Sequence, residues 1–291
     1  MRITVFTPTY NRAYIIENLY HSLKNQTFKD FEWLVIDDGS TDETNKLFDR
    51  WLSENNDFVI RYYYYENVGK QKEINRALDL VSGDLFFTVD SDDLLTPDAL
   101  EKIDTWEKIL PPNEKFCGFA GSGGNMDGHP MNPIFDEPYI DVTFLNRYAE
   151  SGLFIGHDRP WVFYTKVHKL FKYPEFEGEK FISEAVVWNR MAAAGYKIRC
   201  FNDVIYLWEH QIDGITNGIQ KTLSNNPQGF GLWRKELMDI LHYDFFSKLK
   251  NYYSFYCDVN KSCKTSEIAK YIGAPVWFMY MAKLVFWLKH R

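Results

Sequence analysis

Asp90, Asp92 and Asp93 fall within four positions, and an apolar run from Leu85 to Val89 leads straight into them. Carboxylates crowded in this way repel one another unless a cation lies between them. Hard divalent ions such as Mg²⁺ or Mn²⁺ take a few carboxylates together with the oxygens of substrate phosphates. The apolar run has the length and composition of a buried strand, and such strands deliver their last residues to the sheet edge where ligands of open α/β folds collect. An Asp-rich turn leading to a helix start at Thr96-Pro97-Asp98 would leave the same trace. The cluster therefore takes its meaning from what else reaches that edge.

Three earlier strands supply neighbours. Arg2–Phe6 stops at Thr7-Pro8-Thr9-Tyr10-Asn11-Arg12, and Phe31–Ile36 ends in Asp37-Asp38-Gly39-Ser40-Thr41-Asp42. Phe58–Tyr65 runs into Glu66-Asn67-Val68-Gly69-Lys70. Apolar residues at helical spacing separate them: Ile15, Ile16, Leu19 and Leu23, then Leu47, Phe48, Trp51 and Leu52, then Ile74, Ala77, Leu78 and Val81. Strand and helix thus alternate through roughly the first ninety residues, the pattern of a parallel, doubly wound α/β sheet. Right-handed connections point every strand's carboxyl end the same way, so the polar strand ends are predicted to meet in one crevice.

Beyond Leu110 the texture changes. Pro111-Pro112-Asn113 and Gly121-Ser122-Gly123-Gly124-Asn125 read as turns, and residues 125–160 as long loops beside the site. A helix is predicted from an N-cap at Ser183 to a stop at Gly195, followed by a strand over Tyr196–Phe201.

The net charge of −7 argues against a nucleic-acid partner. It hides an asymmetry, because residues 228–291 carry ten Lys and Arg against five Asp and Glu. That segment holds an aromatic, apolar stretch, Ala274–Leu288, interrupted by Lys283 and too short to span a bilayer comfortably. It suits a helix lying on an anionic membrane surface, and equally one that docks on the core. The four cysteines show no zinc-type spacing, and the sequence opens directly on a strand pattern without a signal peptide. Cytoplasmic thiols, with peripheral contact at the inner face of the membrane, are the expectation.

Taken together, Thr7–Arg12, Val35–Asp42 and Asp90-Ser91-Asp92, each at a strand's end and in this order, make the chain resemble the family 2 glycosyltransferases. The resemblance covers roughly residues 3–215, while Phe181-Ile182-Ser183-Glu184 and Asp213-Gly214-Ile215-Thr216 resemble bacterial surface-polysaccharide members. It implies a GT-A fold, a Rossmann-like and mostly parallel sheet flanked by helices, over residues 1–215, with a helical extension over 216–291. It further implies a UDP-sugar donor, Mn²⁺ or Mg²⁺, inversion at the anomeric carbon, and a glycan or lipid-linked acceptor. By the same resemblance Asp92, assisted by Asp90, would hold the metal and Asp90 with Ser91 would face the ribose. Asp38 would meet the nucleobase in a pocket with Thr7, Pro8, Tyr10 and Arg12. Lys70 would approach a phosphate, or be a solvated lysine at a helix start.

The base of the reaction maps to Glu184. Many family members carry Glu-Asp there, whereas this chain has Glu184-Ala185, leaving Glu179 as the fallback. His210 matches a position that can supply a metal or diphosphate ligand, and a lone structural histidine is the competing reading. Asp158 and Trp161 are candidates to face a sugar, while Trp188, in mid-helix, suits the core. Two rival functions remain at this point. A sugar nucleotidyltransferase would carry a Gly-rich basic loop after the first strand, where this chain has Thr-Pro-Thr-Tyr-Asn-Arg. A non-catalytic sugar-nucleotide or glycan-binding module would have little use for intact acids.

Overall fold

The computed structural model describes residues 1–111, 113–148, 153–156, 158–208 and 218–289. It divides into two compact units. One comprises Met1–Lys172 together with the segment from Met191 to the end of the last strand, and the other comprises Tyr173–Arg190 together with the C-terminal helices.

The first unit begins with four strand–helix repeats: β1 (Ile3–Thr9), α1 (Ile16–Lys24), β2 (Phe31–Asp37), α2 (Thr44–Ser53), β3 (Val59–Tyr64), α3 (Lys70–Leu80) and β4 (Leu85–Thr88). β1 and β2 are buried almost throughout, as strands covered by helices on both faces are. β3 lies at the edge and is half-exposed, its tyrosines partly in solvent. α1 puts Ile16, Leu19, Tyr20 and Leu23 inward, where Tyr20 stacks on Trp51 with ring centroids 4.4 Å apart.

The spatial order β3-β2-β1-β4 is parallel throughout, with Thr9 opposite Asp37 and Phe6 opposite Thr88. The chain works outward from β1 to β3, then returns to β1's other side as β4. The reversal creates a switch point between β1 and β4, the place where open α/β sheets leave a crevice for ligands.

After β4 come β5 (Leu94–Leu95), α4 (Ala99–Lys108), β6 (Phe116–Gly124), β7 (Tyr139–Val142), β8 (Trp161–Tyr164), α5 (Thr165–His168), α6 (Ala185–Ala193) and β9 (Lys197–Leu207). β8 enters beside β4 antiparallel and β6 pairs with it antiparallel, so the sheet becomes mixed beyond its parallel half.

Three expectations are corrected here. Gly121–Gly124 form no turn but the fully buried end of β6. Their lack of side chains has a packing cause: a Cβ on Gly123 would sit 2.3 Å from the Trp208 ring, and one on Gly121 2.6 Å from Ile205. Residues 125–160 are not loop alone, since β7 and a 3₁₀ turn at Phe144–Arg147 lie within them. The strand expected over Tyr196–Phe201 continues to Leu207 because it pairs with β5, β6 and β7.

In the second unit α7 (Ile219–Asn225), α8 (Pro227–Ile240), α9 (Phe245–Val259), α10 (Thr265–Ile272) and α11 (Val276–Lys289) enclose a core of Phe230, Met238, Phe255, Tyr256, Ile268, Ile272 and Met279. α11 buries Met279 and Ala282 and leaves Trp277, Tyr280, Met281, Leu284 and Leu288 exposed, Trp277 to 62%. No described helix is long and apolar enough to cross a membrane.

Candidate active site

The crevice is built from four strand ends. β1 leads into Asn11, whose backbone N–H donates to Ser40 Oγ at 2.8 Å and whose Oδ1 accepts from Thr41 N–H at 2.8 Å. These bonds tie the end of β1 to the end of β2. Asp37 accepts from Ser40 N–H at 2.7 Å and from the Tyr62 hydroxyl at 2.6 Å, which gives it a turn-forming role. Asp38 follows with its N–H on the Thr9 carbonyl. Its carboxylate, nearly buried, accepts from Val68 N–H at 2.6 Å and Gly69 N–H at 2.9 Å. Gly69, at a φ of +99° that side chains disfavour, turns the chain into α3.

Lys70 opens α3, and its Nζ lies 2.8 Å from Asp90 Oδ1 and 3.0 Å from Oδ2. From the other side Arg12 approaches Asp92 Oδ2 at 3.9 Å. The turn after β4 is closed by Asp93 N–H on the Asp90 carbonyl, and it is held from beneath by β9. There the buried Tyr206 hydroxyl donates to Asp93 Oδ2 at 2.6 Å, while its oxygen accepts from Asp90 N–H at 3.1 Å.

Burial, and then the charge of Asp90, raise the Asp92 carboxyl above the usual carboxylate range, with Arg12 and Lys70 pulling the other way. The same two causes push Asp93 up to about 8. Acids raised by one another's charge form a site that favours an added cation. Among the described residues no group of three His, Cys, Asp or Glu is placed to hold an ion unaided. Asp90 and Asp92 fit a Mg²⁺- or Mn²⁺-type ion that completes its shell with substrate phosphate and water, as such ions commonly do.

The expected site residues fare differently. Asp38, Lys70, Asp90, Asp92 and Arg12 come together along one edge. Ser91 is buried within the turn and Pro8 is half-buried at the same edge, whereas Tyr10 is 49% exposed. The Thr7 side chain turns into the core, where its Oγ1 accepts from the Trp33 indole N–H at 3.0 Å. His210 and Asp213–Thr216 lie outside the described residues. Asp158 Oδ1 accepts from the Trp161 indole at 2.9 Å, and Trp161 is buried edge-on against Phe144. Trp188 is also buried, so neither tryptophan offers an open face to a sugar.

In the second unit Glu184 directly precedes α6, its carbonyl accepting from Val187 N–H and Trp188 N–H. Gly195 closes the same segment with its N–H on the Ala192 carbonyl. Glu179 is committed elsewhere: its carboxylate accepts from Gln228 N–H at 2.7 Å and Gly229 N–H at 2.9 Å, capping α8.

Two contributors escaped the sequence reading. Tyr206 lies more than a hundred positions from Asp93, and nothing local joins them. Glu73 is fully buried in the first turn of α3. Its spacing of four from the buried Ala77 was a usable signal that it faces inward.

The profile of glycosyl transferase family 2 matches residues 4–108, which contain all the strand ends just described. Over residues 4–108 the chain is thus similar to glycosyltransferase family 2. The chain is 26% identical over 227 residues to the glycosyltransferase GlyG of Streptococcus pneumoniae, spanning 73% of the chain and 72% of GlyG. Two further curated relatives are spanned over only 53% and 33% of their own lengths.

The fold of the chain matches a crystal structure of Staphylococcus aureus TarS in complex with UDP-GlcNAc, with a TM-score of 0.61 and 15% identity. That match covers 99% of this chain and 92% of the other. It also matches the mannosyltransferase PcManGT from Pyrobaculum calidifontis in complex with GDP-Man and Mn²⁺, with a TM-score of 0.58, 19% identity and coverage of 97% and 86%. The architecture is thus GT-A, with a parallel half that carries the site and C-terminal helices.

Proposed function

We propose that the chain transfers a sugar, with inversion and with the help of a divalent metal, from a UDP-sugar to a surface glycan or lipid-linked acceptor. The observation that carries this reading is the placing of Asp90 and Asp92 between Lys70 and Arg12 at the β1/β4 switch point. Two cations and two carboxylates at one edge form a cradle for a diphosphate together with its counter-ion.

Asp90 and Asp92 would hold the ion, which when bound supplies positive charge against the leaving diphosphate. Lys70 and Arg12 add fixed positive charge at the same edge, and being anchored already they need little reorganisation as charge develops. The Asp38 carboxylate, kept in place by two backbone N–H groups, accepts a ring N–H of the nucleobase. Glu184 takes the proton of the acceptor hydroxyl as its oxygen bonds to the anomeric carbon and the bond to the diphosphate breaks, releasing UDP. The commitment of Glu179 to capping α8 supports Glu184 over the fallback.

The preference for a surface glycan draws on TarS, a poly(ribitol-phosphate) β-N-acetylglucosaminyltransferase that is 31% identical over 148 residues, 50% of this chain and 25% of TarS. The exposed aromatic face of α11 and the basic excess of residues 228–291 support contact with the inner face of the membrane, with the catalytic domain in the cytoplasm.

Calorimetry with UDP, GDP and ADP in Mn²⁺ tests the donor class. UDP is expected to bind about tenfold or more tighter than ADP, whose base offers no ring N–H to Asp38. GDP is the informative competitor because guanine does offer one. Equal affinity for UDP and ADP would contradict the assignment of Asp38.

A further inference from the structure

The buried acid Glu73 has no place in the chemistry above, yet it lies against the nucleotide pocket. It is fully enclosed in the first turn of α3, one turn beyond the Gly69 N–H that holds Asp38. Arg76 donates to its Oε1 at 2.6 Å, and its buried Oε2 meets no N–H or hydroxyl donor. Its carboxyl faces the carboxylate of Asp38, within hydrogen-bonding reach. Two carboxyl groups hold such a contact only when one of them carries a proton.

Which of the two is protonated follows from their partners. Asp38 accepts two backbone N–H bonds, and such bonds favour the ionised form. Glu73 is fully buried, and burial favours its neutral form against the opposing pull of Arg76. Burial first, and then the Asp38 charge, push it up to about 8. Glu73 therefore donates and Asp38 accepts.

We propose that Glu73 is a positioning residue for the nucleotide, its O–H fixing the Asp38 carboxylate so that a remaining lone pair meets the nucleobase N–H. The contact also joins β2 to the helix that starts with Lys70, so one proton sets both the base-reading acid and the lysine at the Asp90 end of the crevice. Asn67 reinforces the link by donating to the Asp38 carbonyl at 2.8 Å. Ionisation of Glu73 puts two negative charges in contact and drives Asp38 out of position, so nucleotide affinity falls as pH rises through the titration of Glu73. The charged group acting on Glu73 besides Asp38 is Arg76 on α3, whose guanidinium lies 4.6 Å from the Tyr65 ring centroid. The inference deepens the proposed UDP reading and rests on it.

The test is UDP affinity by calorimetry in EDTA from about pH 6.5 to about pH 9, for the wild type, Glu73→Gln and Glu73→Leu. Glu73→Gln keeps a donor that cannot ionise, and is expected to match the wild type near neutrality and to lose less affinity on the alkaline side. Glu73→Leu keeps the volume without the donor and is expected to bind about tenfold more weakly at every pH. The alkaline loss of affinity should be about tenfold in the wild type beyond any loss that Glu73→Gln also shows.

Parallel curves for wild type and Glu73→Gln would overturn the proposal, as would a Gln variant as weak as Leu. Thermal melts without nucleotide separate the two layers. Because folding raises the Glu73 pKa, the wild type should lose stability relative to Glu73→Gln as pH rises from the ordinary glutamate range through about 8. That divergence in melts, combined with absence of UDP binding at any pH, would sink the UDP reading and this role with it while leaving the carboxyl pair intact. Melts without divergence would refute the shared proton itself.

Discussion

Glu184→Gln is expected to lower the turnover of sugar transfer by about a hundredfold to ten-thousandfold while leaving UDP affinity within about twofold. The amide keeps the size and the hydrogen-bonding reach of the side chain and removes only its basicity. Acceptor deprotonation would then fall to water, and kcat would carry the loss. The nucleotide, read at the ends of β1, β2 and β4, should not sense the change. A Glu184→Gln enzyme within about threefold of wild-type kcat would exclude Glu184 as the base. Glu179→Gln is the contrasting variant. Its carboxylate caps α8 through the Gln228 and Gly229 N–H groups, so its loss should appear first in the melting temperature.

Asp92→Ala should reduce turnover by about a thousandfold or more, the scale of removing one group that stabilises charge developing in a transition state. Its stability should move the other way. Asp92 is raised above the usual carboxylate range by burial and by Asp90, so in metal-free protein its ionised form opposes folding at neutral pH. Its removal relieves that repulsion, and metal-free Asp92→Ala is expected to melt no lower than the wild type. Added Mn²⁺ should stabilise the wild type through mass action and leave the variant unchanged. A variant that melts well below the wild type while retaining its Mn²⁺ response would show that Asp92 serves the fold rather than the ion.

The parallel half of the sheet was legible because its signals are local. Leu85–Val89 and Phe31–Ile36 are apolar but for Thr88 and Glu32, as suits strands covered on both faces, and each is followed by turn residues. The position of Asp38, Asp90 and Asp92 at those ends was legible for the same reason. What the sequence concealed was long-range. β8 inserts between β4 and β6, and its four residues carry no period distinguishable from the surrounding loop. Gly121–Gly124 read as a turn because the ring that requires small residues there, Trp208, is distant in sequence. The resemblance assigns Thr7 to the nucleobase pocket, yet strand alternation aims it at Trp33. Glu73 shows the same limit, since its partner Asp38 lies on another strand end and the proton between them has no counterpart in composition or spacing.

The most direct test of the central claim is UDP release from a panel of UDP-sugars, with Mn²⁺ or Mg²⁺ and then with EDTA, in the presence of candidate glycan and lipid-linked acceptors. Metal-dependent release from one donor, abolished by EDTA and by Asp92→Ala, is the expected result. A folded protein that releases UDP from no donor and binds neither UDP nor metal would contradict it.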